Sequence, residues 1–274
     1  MFRLAVILLL AWPVAAASAA PKAELWARWT AHDPAATTRI DHAAWARFLA
    51  TYLVTDRAGL NRVAYGDVTG EDRQALRRYL DSLATAPVSA LARREQLAFW
   101  INLYNALTVD VVLAHYPVAS IRDIDISPGL FSNGPWGAAL ITVEGEALSL
   151  DDIEHRILRP IWRDPRIHYA LNCAAVGCPN LQPEPFLVPA LDRMLDRAAI
   201  AFVNDPRGVR IGSDGLHVSS IYIWFAADFG GETGVLRHLL AYARPTLAMR
   251  LQTLDGISDH DYDWSLNDAA QGGR

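Results

Sequence analysis

The stretch from Arg166 to Pro179 reads Arg-Ile-His-Tyr-Ala-Leu-Asn-Cys-Ala-Ala-Val-Gly-Cys-Pro and holds both cysteines of the chain, Cys173 and Cys178, with His168 just ahead of them. Any thiol chemistry must happen in this segment. A disulfide closes so short a gap wherever the backbone turns, and Gly177 with Pro179 is turn chemistry. Left free, Cys173 is a candidate nucleophile. An ordinary thiol, with a pKa of about 8.5, is mostly protonated at neutral pH and needs a basic neighbour; His168 and His155 are the two candidates. On an extended chain His168 and Cys173 do not meet, so pairing them requires a bend. A metal held by both cysteines and a histidine is a third option, but no second ligand pair stands at matching spacing, so no metal or cofactor is expected. A two-cysteine redox centre is a lesser variant, because the spacing is longer than the Cys-x-x-Cys of thioredoxin-like sites.

A second constellation lies in Arg94-Glu95-Gln96-Leu97-Ala98-Phe99-Trp100-Ile101-Asn102-Leu103-Tyr104-Asn105. On a helix Glu95, Asn102 and Asn105 share one polar stripe on an otherwise very apolar surface. Burying such a stripe is costly unless each group is satisfied. One reading has the three groups hydrogen-bonding loop backbone near Trp136 or the cysteine segment. The other has Glu95 or Asn102 orienting a catalytic histidine, as the third member of a Cys-His triad would, with Asn105, Cys178 and Trp136 as further pocket residues.

Helices must carry most of this. Apolar residues recur at helical spacing from Ala23 to Leu83, and a longer helix is predicted from about Val88 to His115, ended by Pro117. Past Pro117 come loop residues, then an apolar run from Ala138 to Val143 that reads as a strand. Ser149 is the N-cap candidate of the next helix, with Asp152 at the capping-box position and Ile153, His155, Ile157 and Leu158 on the helix itself. Ile167 to Asn172 reads as a short buried strand, and Val188 to Val203 as an amphipathic helix. Val209 to Val218 is a β-hairpin turned by Asp214-Gly215, helices follow near Ser219 to Ala227 and Gly234 to Tyr242, and Ile257 to Trp264 is a closing strand. The expected fold class is α+β: a helix-rich single domain with a small antiparallel or mixed sheet.

The N-terminus, with Arg3, an apolar run to Leu10 and small residues from Ala15 to Ala20, reads as an export signal over residues 1–19. Its apolar run is short against the ~20 residues that span a bilayer, and no later stretch is expected to be long and apolar enough to do so. Loss of Arg3 with the leader leaves 24 basic and 30 acidic residues, and Lys22 is the single lysine. That mild acidity, with scattered arginines, argues against nucleic acid and against anionic membrane surfaces. The remaining chain, residues 20–274, is long enough for one domain with a substantial core. The expected location is periplasmic or secreted.

Several motifs stand in order: Glu95-Gln96 with Phe99-Trp100-Ile101-Asn102 and Tyr104-Asn105-Ala106-Leu107-Thr108; His115-Tyr116-Pro117; Ser149-Leu150-Asp151-Asp152-Ile153-Glu154-His155; Asp164-Pro165-Arg166-Ile167-His168 running into Cys173 and Gly177-Cys178-Pro179; and Asp261-Tyr262-Asp263-Trp264. With these the chain resembles the DUF547 family, a domain of unknown function found in exported bacterial proteins and elsewhere fused to modules such as glutaredoxin-like domains. The resemblance covers roughly Arg93 to Phe229. It implies that Glu95, Asn102, Asn105, His155, His168, Cys173 and Cys178 correspond to the family's recurring polar residues. Together these readings lead to a thiol-dependent hydrolase or transferase using Cys173 with a histidine base, acting on an unidentified small-molecule or peptide ligand. The competing reading is a non-enzymatic envelope binding or assembly protein with a structural Cys173–Cys178 disulfide.

Overall fold

A computed structural model gives the structure of residues 21–129 and 133–271; the predicted leader, residues 1–19, lies outside the described residues. The order of elements opens with α1 (Ala43–Tyr52), whose Trp45, Phe48, Leu49 and Tyr52 are buried at helical spacing. A hairpin follows, β1 (Leu53–Thr55) against β2 (Asn61–Val63). Sequence periodicity missed it inside the helical stretch, because three-residue strands leave too few positions to show alternation. α2 (Gly70–Ala84) starts at Thr69, whose hydroxyl accepts from the Asp72 backbone.

The centre of the molecule is α3 (Arg93–His115), buried along almost its whole length. A helix apolar on every side belongs inside a core. By length and composition α3 is apolar enough to cross a bilayer, which corrects the expectation that no such stretch exists, but 89% of its most apolar window is buried inside the protein. The predicted start at Val88 is a separate 3-10 turn, Val88–Ala90.

The run from Ala138 to Val143 yields only β3 (Ile141–Val143), paired with β4 (Glu146–Leu148) across a turn in which Glu144 and Gly145 both take positive φ. Ser149 and Asp152 then form the expected box: the Ser149 hydroxyl accepts from the Asp152 backbone and the Asp152 carboxylate accepts from the Ser149 backbone, each at 3.0 Å. The helix they open, residues 150–162, is π-helical from Asp152 to Leu158 and ends as α4 (Arg159–Trp162).

Pro160 explains the wide turn. It has no N–H to donate, and its ring would strike the Arg156 carbonyl of a tight α-turn. The carbonyls of His155 and Arg156 accept instead from the backbone N–H groups of Glu24 and Trp26, at 3.0 and 2.9 Å. The first described residues are thus strapped along this helix.

Ile167 to Asn172 corrects the strand prediction: it contains α5 (Ile167–Ala170), a single helical turn. A run this short and uniformly apolar has no period to distinguish strand from helix. α6 (Leu191–Val203) matches its predicted amphipathic pattern. The hairpin of β5 (Val209–Ile211) and β6 (Leu216–Ser219) turns at Gly215, φ 124°, as expected of Asp-Gly. Next come α7 (Ile221–Trp224), α8 (Ala226–Phe229), α9 (Gly231–Tyr242) and α10 (Pro245–Leu251). The closing strand, β7 (Asp259–Asp261), joins β6 in parallel.

The class is α+β and helix-rich. In place of one small sheet the described residues form two antiparallel hairpins and one mixed three-stranded sheet, ordered β5-β6-β7. One apolar core surrounds α3, and a second gathers α6, β6 and α9 around Tyr222.

Candidate functional site

The cysteine segment is held in place from two sides. Asn105 of α3 donates to the Ala170 carbonyl and accepts from the Asn172 backbone, both at 2.9 Å, which fixes the exit from α5. Asn172 in turn caps the loop, accepting from the Ala174 backbone at 3.0 Å and donating to the Pro179 carbonyl at 2.8 Å. From the far end of the chain, residues 263–267 stitch along the loop: Val176 donates to Ser265 and Gly177 to Asp263, each at 2.8 Å, and Asn267 donates to Ala174 at 2.9 Å. Gly177 is required by this approach, because a Cβ there would sit 2.8 Å from the Asp263 nitrogen.

Cys173 and Cys178 form a disulfide, their Cα atoms 6.2 Å apart. The two sulfurs are not equivalent. Cys173 is partly exposed, whereas Cys178 is 2% exposed. The Cys178 sulfur accepts from the Cys173 backbone N–H at 2.9 Å, and the Tyr262 hydroxyl lies 3.0 Å from each sulfur. Tyr262 opens a run of partly buried rings. Trp224 and Trp264 lie 4.9 and 4.6 Å from it, and Trp136 packs edge-on against Trp264 at 5.7 Å. Trp136 is thus linked to the sulfurs through two other rings rather than directly.

Beside this lies a buried charge network built by the wide helix. Its backbone bonds reach five residues back, as from the Arg159 N–H to the Glu154 carbonyl, and so bring Glu154, His155 and Arg159 together. His168 donates from Nε2 to Asp228 Oδ2 at 2.8 Å, and its Nδ1 lies 3.8 Å from Glu154 Oε1. Arg159 bonds the same Asp228 oxygen at 2.6 Å, contacts His155 Nδ1 at 3.0 Å and reaches the Pro21 carbonyl at 2.7 Å. Phe225 covers the group, its ring stacked on His168 at 4.3 Å and under the Arg159 guanidinium at 4.7 Å. On its other side Glu154 interacts with Tyr104, whose hydroxyl opposes the effect of burial on the carboxyl.

These surroundings push the titrations apart. Burial raises the Glu154 carboxyl to about 7; Arg159 and Tyr104 oppose that shift, Asp151 and Asp228 add to it. Asp151 is raised to about 6 by burial and by Asp152. Burial alone would also raise Asp228, but the hydrogen bonds from His168 and Arg159 outweigh it and hold the carboxylate at about 2. His155 is lowered to about 3 by burial, Arg159 and His168, and burial lowers His168 despite Asp228. Both imidazoles are therefore neutral near pH 7, and Glu154 is the carboxyl poised to exchange a proton there.

The predicted site residues divide. His155 and His168 join one network, and the cysteines lie beside it through Tyr262, whose ionisation burial and the Glu154 carboxylate suppress. Among the described residues no hydrogen bond joins either histidine to a sulfur; His168 faces Asp228 and Glu154. Glu95 lies elsewhere: it accepts from the Ile40 backbone at 2.8 Å and faces Arg39 at 3.6 Å. Asn102 clamps the Phe186 backbone with two hydrogen bonds, at 2.8 and 2.9 Å. With Cys173 bonded, there is no free thiolate for a histidine to activate. Sequence reasoning missed Glu154, Arg159, Asp228, Tyr104 and Tyr262 as site residues. The spacing of Glu154, His155 and Arg159 on one predicted helix and the Asp-Tyr-Asp-Trp motif near the C-terminus were the available signals.

The site defines a class: a helix-rich α+β protein with a tyrosine-capped disulfide beside a buried acid–histidine network. Residues 88–203 match the family model of DUF547, described as a protein of unknown function, and this stretch of the chain is similar to that family. The match includes both cysteines, both site histidines and Glu154, and stops short of Asp228 and Tyr262. No curated protein and no solved structure matches the chain.

Proposed function

We propose that this is an exported thiol-dependent enzyme working by thiol–disulfide exchange at Cys173. The observation that carries the reading is the asymmetry of the disulfide. Cys173, the more exposed of the two, is the one that can be attacked, and the buried Cys178 sulfur alone accepts from a backbone N–H, that of Cys173, while the Tyr262 hydroxyl stands 3.0 Å from both sulfurs. A sulfur held in this way leaves readily as thiolate, and exchange quickens as the leaving thiol becomes more acidic. A thiolate of a dithiol substrate attacks Cys173 Sγ, the S–S bond breaks, and its electron pair passes to Cys178 Sγ. The second substrate thiol then displaces Cys173, leaving the substrate oxidised and the pair reduced. An oxidising compartment, which the leader reading supplies, would keep the pair ready for the next cycle.

The hydrolase or transferase reading uses the same residues once the pair is reduced, with Cys173 as nucleophile. It is the weaker of the two, because both histidines are engaged away from the sulfurs. The test is the folded protein treated with dithiothreitol and then alkylated. Exchange predicts reduction without loss of fold, Cys173 alkylated before Cys178, and a Cys178→Ala variant trapped as a mixed disulfide with glutathione at Cys173. A bond that opens only on unfolding would leave the structural, non-enzymatic reading standing.

A further inference from the structure

Where the strap formed by the first described residues crosses the end of the 150–162 helix and meets α8, there is a cavity of about 350 Å³. Its polar wall is made by Arg159, Arg163, Asp164 and Asp228, and Leu25 and Pro160 belong to its apolar wall. Thiol–disulfide exchange at Cys173 uses none of these residues.

Three of the polar groups are incompletely satisfied. The Arg159 side chain is 5% exposed; its Nε and Nη1 bond Asp228, His155 and the Pro21 carbonyl, while Nη2 has no hydrogen-bond partner among the described residues. Asp228 receives both Arg159 and His168 on Oδ2, which leaves Oδ1 without a partner among the same residues. Arg163 donates one long bond, from Nε to the Pro160 carbonyl at 3.4 Å, and forms no ion pair with any described residue. Asp164 differs, since Arg166 occupies both of its oxygens.

Arg163 is also a point of backbone strain. It closes the helix in the left-handed region, at φ 51° and ψ 37°, where glycine sits freely and a side chain does not. A glycine would end this helix with less strain, so the backbone gives no reason for an arginine. Strain held beside a cavity points to a use for the side chain.

The charges and free atoms define what fits. Arg159 is balanced by Asp228 and Asp164 by Arg166, so Arg163 leaves the wall with one positive charge in excess. The two arginines stand one turn apart, the Arg163 N–H bonding the Arg159 carbonyl at 3.1 Å. Guanidinium groups so placed suit a carboxylate, whose planar oxygens match their fork. The free Asp228 oxygen calls for a donor next to that carboxylate, and Leu25, 50% exposed, offers apolar surface. We propose that this cavity binds an α-amino or α-acylamino carboxylate with a short apolar side chain, supplied as a free amino acid or as the C-terminal residue of a peptide. Arg163 and Arg159 Nη2 hold the carboxylate, and Asp228 Oδ1 accepts from the nitrogen on the α-carbon. The volume is at the small end of ligand sites and accommodates about one residue.

The experiment is calorimetric titration of the folded full chain with four probes. L-Leucine and N-acetyl-L-leucine carry both recognition groups, 4-methylpentanoate lacks the α-nitrogen, and L-leucinamide lacks the carboxylate. Saturable binding is expected for at least one of the first two, about tenfold or more weaker binding for 4-methylpentanoate, and none for L-leucinamide. Preference for L-leucine identifies a free amino acid as the ligand, and preference for N-acetyl-L-leucine a peptide C-terminus. Arg163→Gly should weaken that binding by about tenfold or more while raising the melting temperature, because it removes the guanidinium and the strain together. Failure of both carboxylates to bind, 4-methylpentanoate binding as tightly as they do, or unchanged affinity in Arg163→Gly would each overturn the proposal.

Discussion

The polar stripe of α3 and the polar face of the 150–162 helix are both buried, yet their partners differ in kind. Asn102 and Asn105 spend their amides on backbone, two bonds each, and Glu95 accepts from the Ile40 backbone. Glu154, His155 and Arg159 instead face other titratable side chains, namely His168, Asp228, Tyr104 and one another. Backbone partners carry no variable charge, so such a clamp fixes geometry and does nothing else. A carboxyl set among histidines, another carboxylate and a shared arginine keeps an adjustable proton. The two asparagines meet the cost of burial by completed backbone bonds and the 150–162 helix meets it by charge balance, while Glu95, whose second oxygen has no hydrogen bond and faces Arg39, shares in both.

The comparison breaks if the two groups respond alike. Asn105→Ala should have the largest effect, about 4 kcal/mol of lost stability, because it orphans two buried backbone groups at roughly 2 kcal/mol each. Urea unfolding measures it, and the pH dependence of stability should stay that of the wild type. Glu154→Gln should do the reverse. Glu154 holds its proton more tightly when folded, about 7 against 4.5 in an unperturbed chain, so it makes the wild type lose stability as pH rises from about 4.5 through about 7. The variant should be spared that loss, up to about 3 kcal/mol between pH 5 and 8, and unfolding curves across that range would show it. Asp228 has the opposite sign. Its stabilisation is present above its unfolded titration and is lost as pH falls towards about 2.

Reducing the disulfide should matter less, about 2 kcal/mol for so short a loop. Melting with and without reductant, on folded protein whose thiols have been counted, is the check. A loss of 4 kcal/mol or more would make the bond a structural staple. The smallest effect should come from Arg94→Ala. Arg94 also stands on α3, but its pair with Asp192 of α6 is at the surface with both side chains more than half exposed, so less than about 0.5 kcal/mol is expected from thermal unfolding.

Much of the frame was legible because its signals are local. Ser149 with Asp152, Asp214-Gly215 and the length of α3 each carry their instruction within a few residues. The sequence also located the cysteines and the polar stripe, and left open the choice between clamp and triad. What it could not show is what depends on distance along the chain. Whether Glu95 and Asn102 meet the cysteines is decided by where residues 40 and 186 pass. The role of Tyr262 is decided by the pairing of β7 with β6, as of His260 with Val218. The π-turn falls between: Pro160 stands in the sequence just past the predicted helical residues and went unread, and its effect on the carbonyls of His155 and Arg156 becomes clear only when the strap at Glu24 and Trp26 is seen to fill them.

The parallel pairing of β7 with β6 has a consequence for the order in which the molecule becomes itself. Tyr262 is brought to Cys173 across 89 positions of chain, and Gly177 to Asp263 across almost as many. Contacts so distant in sequence close late, because loop entropy must be overcome before they form. During refolding, helical signal should therefore return before the sulfurs acquire their hydroxyl. A chain ended before β7 would keep both cysteines while lacking the Tyr262 hydroxyl that stands 3.0 Å from each sulfur.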